Sequence, residues 1–173
     1  MSLSQIQQMQ VNKQVDMILH APGSQVLEKQ QLEMAFVFDM SADKEYLSSV
    51  TKDIVTTLKR HDKIFQNVRC NVVRWEEKVS TEVMPMSFIQ MGKPFTEDNL
   101  ADAVDKKALL EELCAYLKLF HARSKCIIVI TEGNYVIEDR KKLIDALNPF
   151  LKSKILFVTP DKMFMGREFI LGR

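Results

Sequence analysis

The chain has 173 residues, 46% apolar and 27% charged, which suits one soluble globular domain able to bury a core of its own. Its 24 Lys and Arg nearly balance 23 Asp and Glu, which argues against a broadly basic surface for nucleic acid or anionic membrane. No apolar run is long enough to span a membrane, and the Gln-rich start is unlike a signal peptide.

Residues 1–32 read as an N-terminal helical extension or linker, and 33–173 as the domain proper. Ile6, Met9, Val15, Ile18 and Leu19 are spaced weakly as on a helix, and Pro22-Gly23 breaks the pattern. The run Met34-Ala-Phe-Val-Phe-Asp39 then predicts a strand buried on both faces, closed by an acid. Tyr46, Leu47, Val50, Ile54 and Leu58 recur at helical spacing through Arg60. Val68 to Trp75 reads as a strand, Glu76-Glu77-Lys78 as a turn, and Val83 to Ile89 as a second strand. Pro85 confines that second strand to a sheet edge, so the pair is expected to be an antiparallel hairpin.

Thr96, followed by Glu97 and Asp98, is a good helix start, and Leu100, Val104, Leu110, Leu113, Leu117 and Phe120 predict one long amphipathic helix. Cys126 to Thr131 is a second doubly buried strand. Ile144, Leu147 and Leu151 mark a further helix, and Ile155 to Thr159 a third buried strand. This alternation predicts an α/β fold: a Rossmann-like three-layer sandwich with a mostly parallel central sheet and an antiparallel edge strand. Cys70, Cys114 and Cys126 fall inside these elements with no Cys-x-x-Cys spacing. They read as inert buried thiols of a reducing cytoplasm, which gives the expected location. His20, His61 and His121 are equally scattered, the last two at helix ends, and none reads as a catalyst.

Open α/β sheets bind ligands beyond the carboxyl ends of their strands. Three loops are expected to meet there. One carries Asp39, Ser41 and Asp43, the second Thr96, the third Thr131 and Glu132. Carboxylates and hydroxyls without nitrogen or sulfur donors suit Mg²⁺, or else Mn²⁺ or Ca²⁺. Each residue also has a plain structural reading: Asp43 and Thr96 as helix caps, Ser41 bonded within its own turn, Glu132-Gly133-Asn134 as a tight turn.

In Asp39-Met-Ser41-Ala-Asp43, Lys93-Pro-Phe-Thr96 and Ile130-Thr-Glu132-Gly133, over roughly residues 33 to 160, the chain resembles the von Willebrand factor A (vWA) domains. Those domains carry a metal-ion-dependent adhesion site, with Asp-x-Ser-x-Ser after the first strand, a later Thr and a later Asp. The resemblance implies a metal site formed by Asp39, Ser41, Asp43, Thr96 and Glu132. It also implies a protein partner whose carboxylate completes the coordination. Here Asp43 replaces the family's second Ser and Glu132 its Asp. The extra charge should tighten cation binding and weaken the pull on an acidic partner. The family normally continues past its last strand with a closing helix, for which Phe164 to Leu171 is short.

Met40, Phe95 and Tyr135 neighbour the metal candidates and are expected to form a partner-binding rim. Met84, Met86, Phe88, Met91, Met163 and Met165 make either core or an adaptable contact surface, with core favoured for the alternating first three. The function expected is an intracellular interaction module of vWA type binding another protein, with neither nucleic acid nor membrane as partner, and no catalysis. One alternative is a metal-free scaffold. A more distant one is a haloacid-dehalogenase-like phosphoryl-transfer enzyme using Asp39, although Ser41 stands where that chemistry needs an acid. No Walker, Gly-x-Gly-x-x-Gly or Gly-x-Ser-x-Gly motif is present.

Overall fold

Residues 34–39, 126–130 and 155–158 are buried at every position, so these strands face a packed layer on both sides of the sheet, and that sets the architecture. The computed structural model describes residues 33–61, 63, 68–81 and 108–168. In chain order these form β1 (Glu33–Asp39), α1 (Lys44–Lys59), β2 (Arg69–Trp75), β3 (Val79–Thr81) and α2 (Leu110–Phe120). Then follow β4 (Cys126–Ile130), α3 (Arg140–Ala146), α4 (Pro149–Lys152), β5 (Ile155–Val158), β6 (Met163–Met165) and a 3-10 turn at Gly166–Glu168. The six strands lie in the order β3-β2-β1-β4-β5-β6. The four inner strands are parallel to one another, and β3 and β6 run antiparallel at the edges. The chain is therefore α/β with a mixed sheet, as the alternation of elements predicts.

Met34, Phe36 and Phe38 of β1 pack with Ile128 and Ile130 of β4 against Leu47, Val50, Ile54 and Leu58 of α1. Ala35 and Val37 pack with Ile127 and Val129 on the other face, against Leu113, Cys114 and Leu117 of α2 and Leu143 of α3. Helix α1 starts where Asp43, in extended backbone, accepts the Glu45 N–H at 2.8 Å, an N-cap that satisfies a donor with no partner inside the helix. Among the described residues no helix is long and apolar enough to cross a membrane.

Four expectations need correction. The hairpin turns as predicted at Glu76-Glu77-Lys78, but its return strand already begins at Val79. The predicted long helix is not continuous through Leu109: α2 begins at Leu110, and the expected start at Thr96, with Leu100 and Val104, lies outside the described residues. Leu109 is extended and bridges Val136, with Leu110 N–H donating to Val136 O at 3.0 Å and Val136 N–H to Ala108 O at 2.8 Å. The helix through Ile144 and Leu151 is two short ones. Pro149 cannot donate to a preceding turn, and Asn148 caps the new helix by accepting the Leu151 N–H at 2.8 Å. Ile144 is exposed, whereas Leu147 and Leu151 are buried. The fourth correction is Met163–Met165, which forms edge strand β6 with both methionines buried and Phe164 stacked on Phe157 at 5.0 Å. Residues 1–32 and the expected strand at 83–89, with Met84, Met86, Phe88 and Met91, lie outside the described residues.

Gly166 closes this edge. A Cβ there would collide with the Ile155 Cγ2 methyl and press on the Lys152 Cα at 3.1 Å. Gly166→Ala is therefore expected to cost about 1–3 kcal/mol of stability, as overpacking does, which a urea melt would show as a lower midpoint.

Candidate functional site

The strand order reverses direction at β1: from it the chain builds outward to β2 and β3 on one side, and β4, β5 and β6 fill the other. A ligand crevice is expected at that switch, beyond the carboxyl ends of β1 and β4. The parallel register pairs Phe38 with Ile130, so the next residues, Asp39 and Thr131, leave the sheet side by side. Thr131 Oγ1 donates to Asp39 Oδ2 at 2.6 Å. On the other oxygen, Asp39 Oδ1 accepts both the Ser41 N–H at 3.0 Å and the Ser41 hydroxyl at 2.5 Å. Asp39 and Thr131 are both fully buried.

Among the described residues no cationic side chain pairs with Asp39. A buried carboxylate is normally compensated by an opposite charge or a metal. Here it is held by neutral donors alone. Ser41 has one hydroxyl proton and spends it on Asp39, so the lone pairs of its oxygen are left to accept from, or coordinate, something else. Thr131 Oγ1 in turn accepts the Gly133 N–H at 3.0 Å, and Gly133 takes a φ of +86°, a left-handed turn that glycine enters without strain.

Glu132 reaches across to α1, where its Oε1 accepts the backbone N–H of Asp43. Asp43 Oδ1 is engaged in capping α1. Each of these acids retains a second oxygen with no partner among the described residues. Tyr46, buried under the same edge, donates its hydroxyl to Val158 O at 3.0 Å. Its phenol is held well above the usual range, first by burial and then by the negative charges of Glu132, Asp161 and Asp39. Three carboxylates thus act on one phenol at this edge.

Of the predicted metal set, Asp39 and Ser41 are in direct contact, while Asp43 and Glu132 meet each other at the start of α1. Thr96 lies outside the described residues, as does Phe95 of the rim. Among the described residues no three His, Cys, Asp or Glu side chains cluster at metal-ligating distance. A cation here would therefore rest on hydroxyl as well as carboxylate oxygens, and the donor set fits a hard ion. Met40 does not stand on a rim: it is 5% exposed and belongs to the core on the α1 face. Tyr135 is half-buried and stacks on Trp75 with ring centroids 5.9 Å apart.

Two contributors carry more weight than their sequence positions suggested. Thr131, which closes the β4 run, anchors the second oxygen of Asp39. Tyr46, spaced like any core residue of α1, carries its hydroxyl to the sheet. The three cysteines are buried and form no disulfide with one another, and burial pushes the Cys70 and Cys114 thiols up to about 12. His121 ends α2, buried with Nε2 2.9 Å from Thr81 Oγ1, and burial lowers its pKa. Both observations agree with structural roles for these groups. Compared with known families and curated proteins, the chain matches no family model and no curated sequence.

Proposed function

We propose that the chain is an intracellular protein-interaction module of vWA type, in which the Asp39 centre holds a divalent cation that orients a partner's carboxylate. The observation that carries this reading is the fully buried Asp39, at the strand switch, bonded only to Ser41 and Thr131 and without a cationic partner among the described residues. Asp39 and Ser41 would hold the ion, with the second oxygens of Asp43 and Glu132 available from the rim of α1 and Thr96 as the remaining candidate. When bound, the cation supplies a fixed positive charge with room for an external oxygen ligand. Tyr135 is the remaining described candidate for contact area beside it. No catalytic step is proposed, since Ser41 stands where phosphoryl transfer through Asp39 needs an acid.

A metal-free scaffold is the second reading, favoured by one specific feature. Both oxygens of Asp39 already accept hydrogen bonds, and Asp43 and Glu132 are each engaged at the start of α1. Thermal unfolding in chelator and then with Mg²⁺, Mn²⁺ or Ca²⁺ separates the two. A ligand specific to the folded state stabilises it by about 2.7 kcal/mol at a hundred times its dissociation constant. The module predicts such a rise in wild type and its loss in Ser41→Ala. An unchanged melting temperature with every cation supports the scaffold.

A further inference from the structure

The opposite edge of the sheet carries a second polar cluster with a different character. Residues 122–125 lead into β4 and Lys154 leads into β5, so both lie at the amino ends of parallel strands, away from the Asp39 centre at the carboxyl ends. A pocket of about 480 Å³ opens there, with Arg123, Ser124, Lys125, Phe150 and Lys154 in its lining.

Lys154 is only 8% exposed. Its Nζ donates to Ala122 O at 2.6 Å and sits 4.5 Å from the centre of the Phe150 ring. An ammonium has three protons, and this one spends a single one on the protein. Among the described residues no carboxylate pairs with it, which is costly for a buried cation unless an anion comes from outside. Burial, and then the charge of Lys125, push the Lys154 pKa down, so the two ammonium groups feel each other.

The second, independent observation is Ser124. Its backbone N–H is used by His121 O at 3.1 Å, but its hydroxyl is buried and has no hydrogen-bond partner among the described residues. Buried hydroxyls are rarely left so, and each such group calls for a missing partner. Ser124 lines the pocket, and rotation about its Cα–Cβ bond would turn the hydroxyl toward an anion held there. Glu33 belongs to the neighbouring strand. Its backbone carbonyl accepts the Lys125 N–H at 2.9 Å, and its charge is felt at His121 and not at Lys154.

We propose that this pocket binds a small phosphate monoester, whose dianion is held by Lys154, Arg123, Lys125 and the Ser124 hydroxyl and whose organic part packs on Phe150. Three cationic side chains suit a dianion better than a single carboxylate. Phe150, 70% exposed, offers an apolar face beside the ammonium that a free inorganic ion would not use. The site is independent of the Asp39 centre.

Calorimetric titration of the full chain at constant ionic strength tests this, with phenyl phosphate, inorganic phosphate and benzoate as probes. Saturable binding is expected in the order phenyl phosphate, inorganic phosphate, benzoate. Lys154→Met should weaken phenyl phosphate about tenfold or more, as loss of a charge-assisted hydrogen bond does. Phe150→Ala should bring phenyl phosphate down to the affinity of inorganic phosphate. Arg123 and Lys125 are exposed, so the double Gln variant keeps the fold even if Lys154→Met does not, and it should weaken both phosphates. The proposal is overturned by an absence of saturable binding to wild type, by benzoate binding as tightly as phenyl phosphate, or by the double variant binding as wild type does. Equal affinity for inorganic and phenyl phosphate would remove the organic ligand and Phe150 from it.

Discussion

Trp75→Ala is expected to destabilise the protein by about 3–5 kcal/mol, lowering the melting temperature on the order of 10 °C. Trp75 is fully buried at the end of β2, opposite Asp39 in the register. Its indole N–H donates to Leu109 O at 3.1 Å, just before α2, and its ring stacks on Tyr135 in the loop after β4. One side chain thus ties three segments together beside the candidate site. Truncation removes apolar area, opens a cavity and takes one of two donors from the Leu109 carbonyl, which keeps the Leu113 N–H at 3.2 Å. Trp75→Phe keeps most of the area and should cost less, about 0.5–1.5 kcal/mol for the one hydrogen bond lost. Trp75 is the single tryptophan, so the comparison is made by circular dichroism in urea and not by tryptophan fluorescence. A loss below about 1 kcal/mol for the alanine variant would contradict this view of the packing.

The second large effect is one of sign. Asp39→Asn is nearly isosteric. The amide oxygen can accept from Ser41, and the amide N–H can donate to Thr131, whose hydroxyl then turns away. What disappears is a negative charge buried without a cationic partner among the described residues. In chelator the variant is therefore expected to be at least as stable as wild type, by about 1–3 kcal/mol if the desolvation of the carboxylate dominates. In excess Mg²⁺ the gap should shift toward wild type, because only wild type gains binding free energy, about 2.7 kcal/mol at a hundred times the dissociation constant. Sites that trade stability for function behave in this way. Urea melts of both proteins in both buffers measure it. If wild type is the more stable in chelator and the gap does not change with Mg²⁺, Asp39 is a structural hydrogen-bond hub.

Much of the fold is legible because β1, β4 and β5 are apolar runs with no alternative use, and because Asp43 is both an acid near Asp39 and the obvious cap of α1. What is not legible depends on pairings between distant segments. The apolar spacing from Leu100 to Phe120 continues through Leu109, and nothing local reveals that its backbone is claimed by Val136. The break at Asn148-Pro149 was signalled by the proline, yet the spacing of Ile144, Leu147 and Leu151 masked it. At the site, Asp39 stands out as the acid that ends an apolar strand. Thr131 is expected from the sequence in a loop that meets Asp39, but its direct contact with that acid follows only from the register of Phe38 with Ile130. Met40 follows Asp39 in sequence, but the turn after β1 tucks it into the core, since its N–H stays bonded to Trp75 O at 3.0 Å.

We propose that the Asp39 centre takes up a divalent cation. The most direct measurement is electron paramagnetic resonance of Mn²⁺ titrated into the protein, since the sharp signal of the free ion is lost on binding. The account predicts uptake of a single Mn²⁺ per chain by wild type, reversed by excess Mg²⁺ and absent in both Asp39→Asn and Ser41→Ala. A free-ion signal that rises without delay in wild type, or uptake that survives both substitutions, would contradict it.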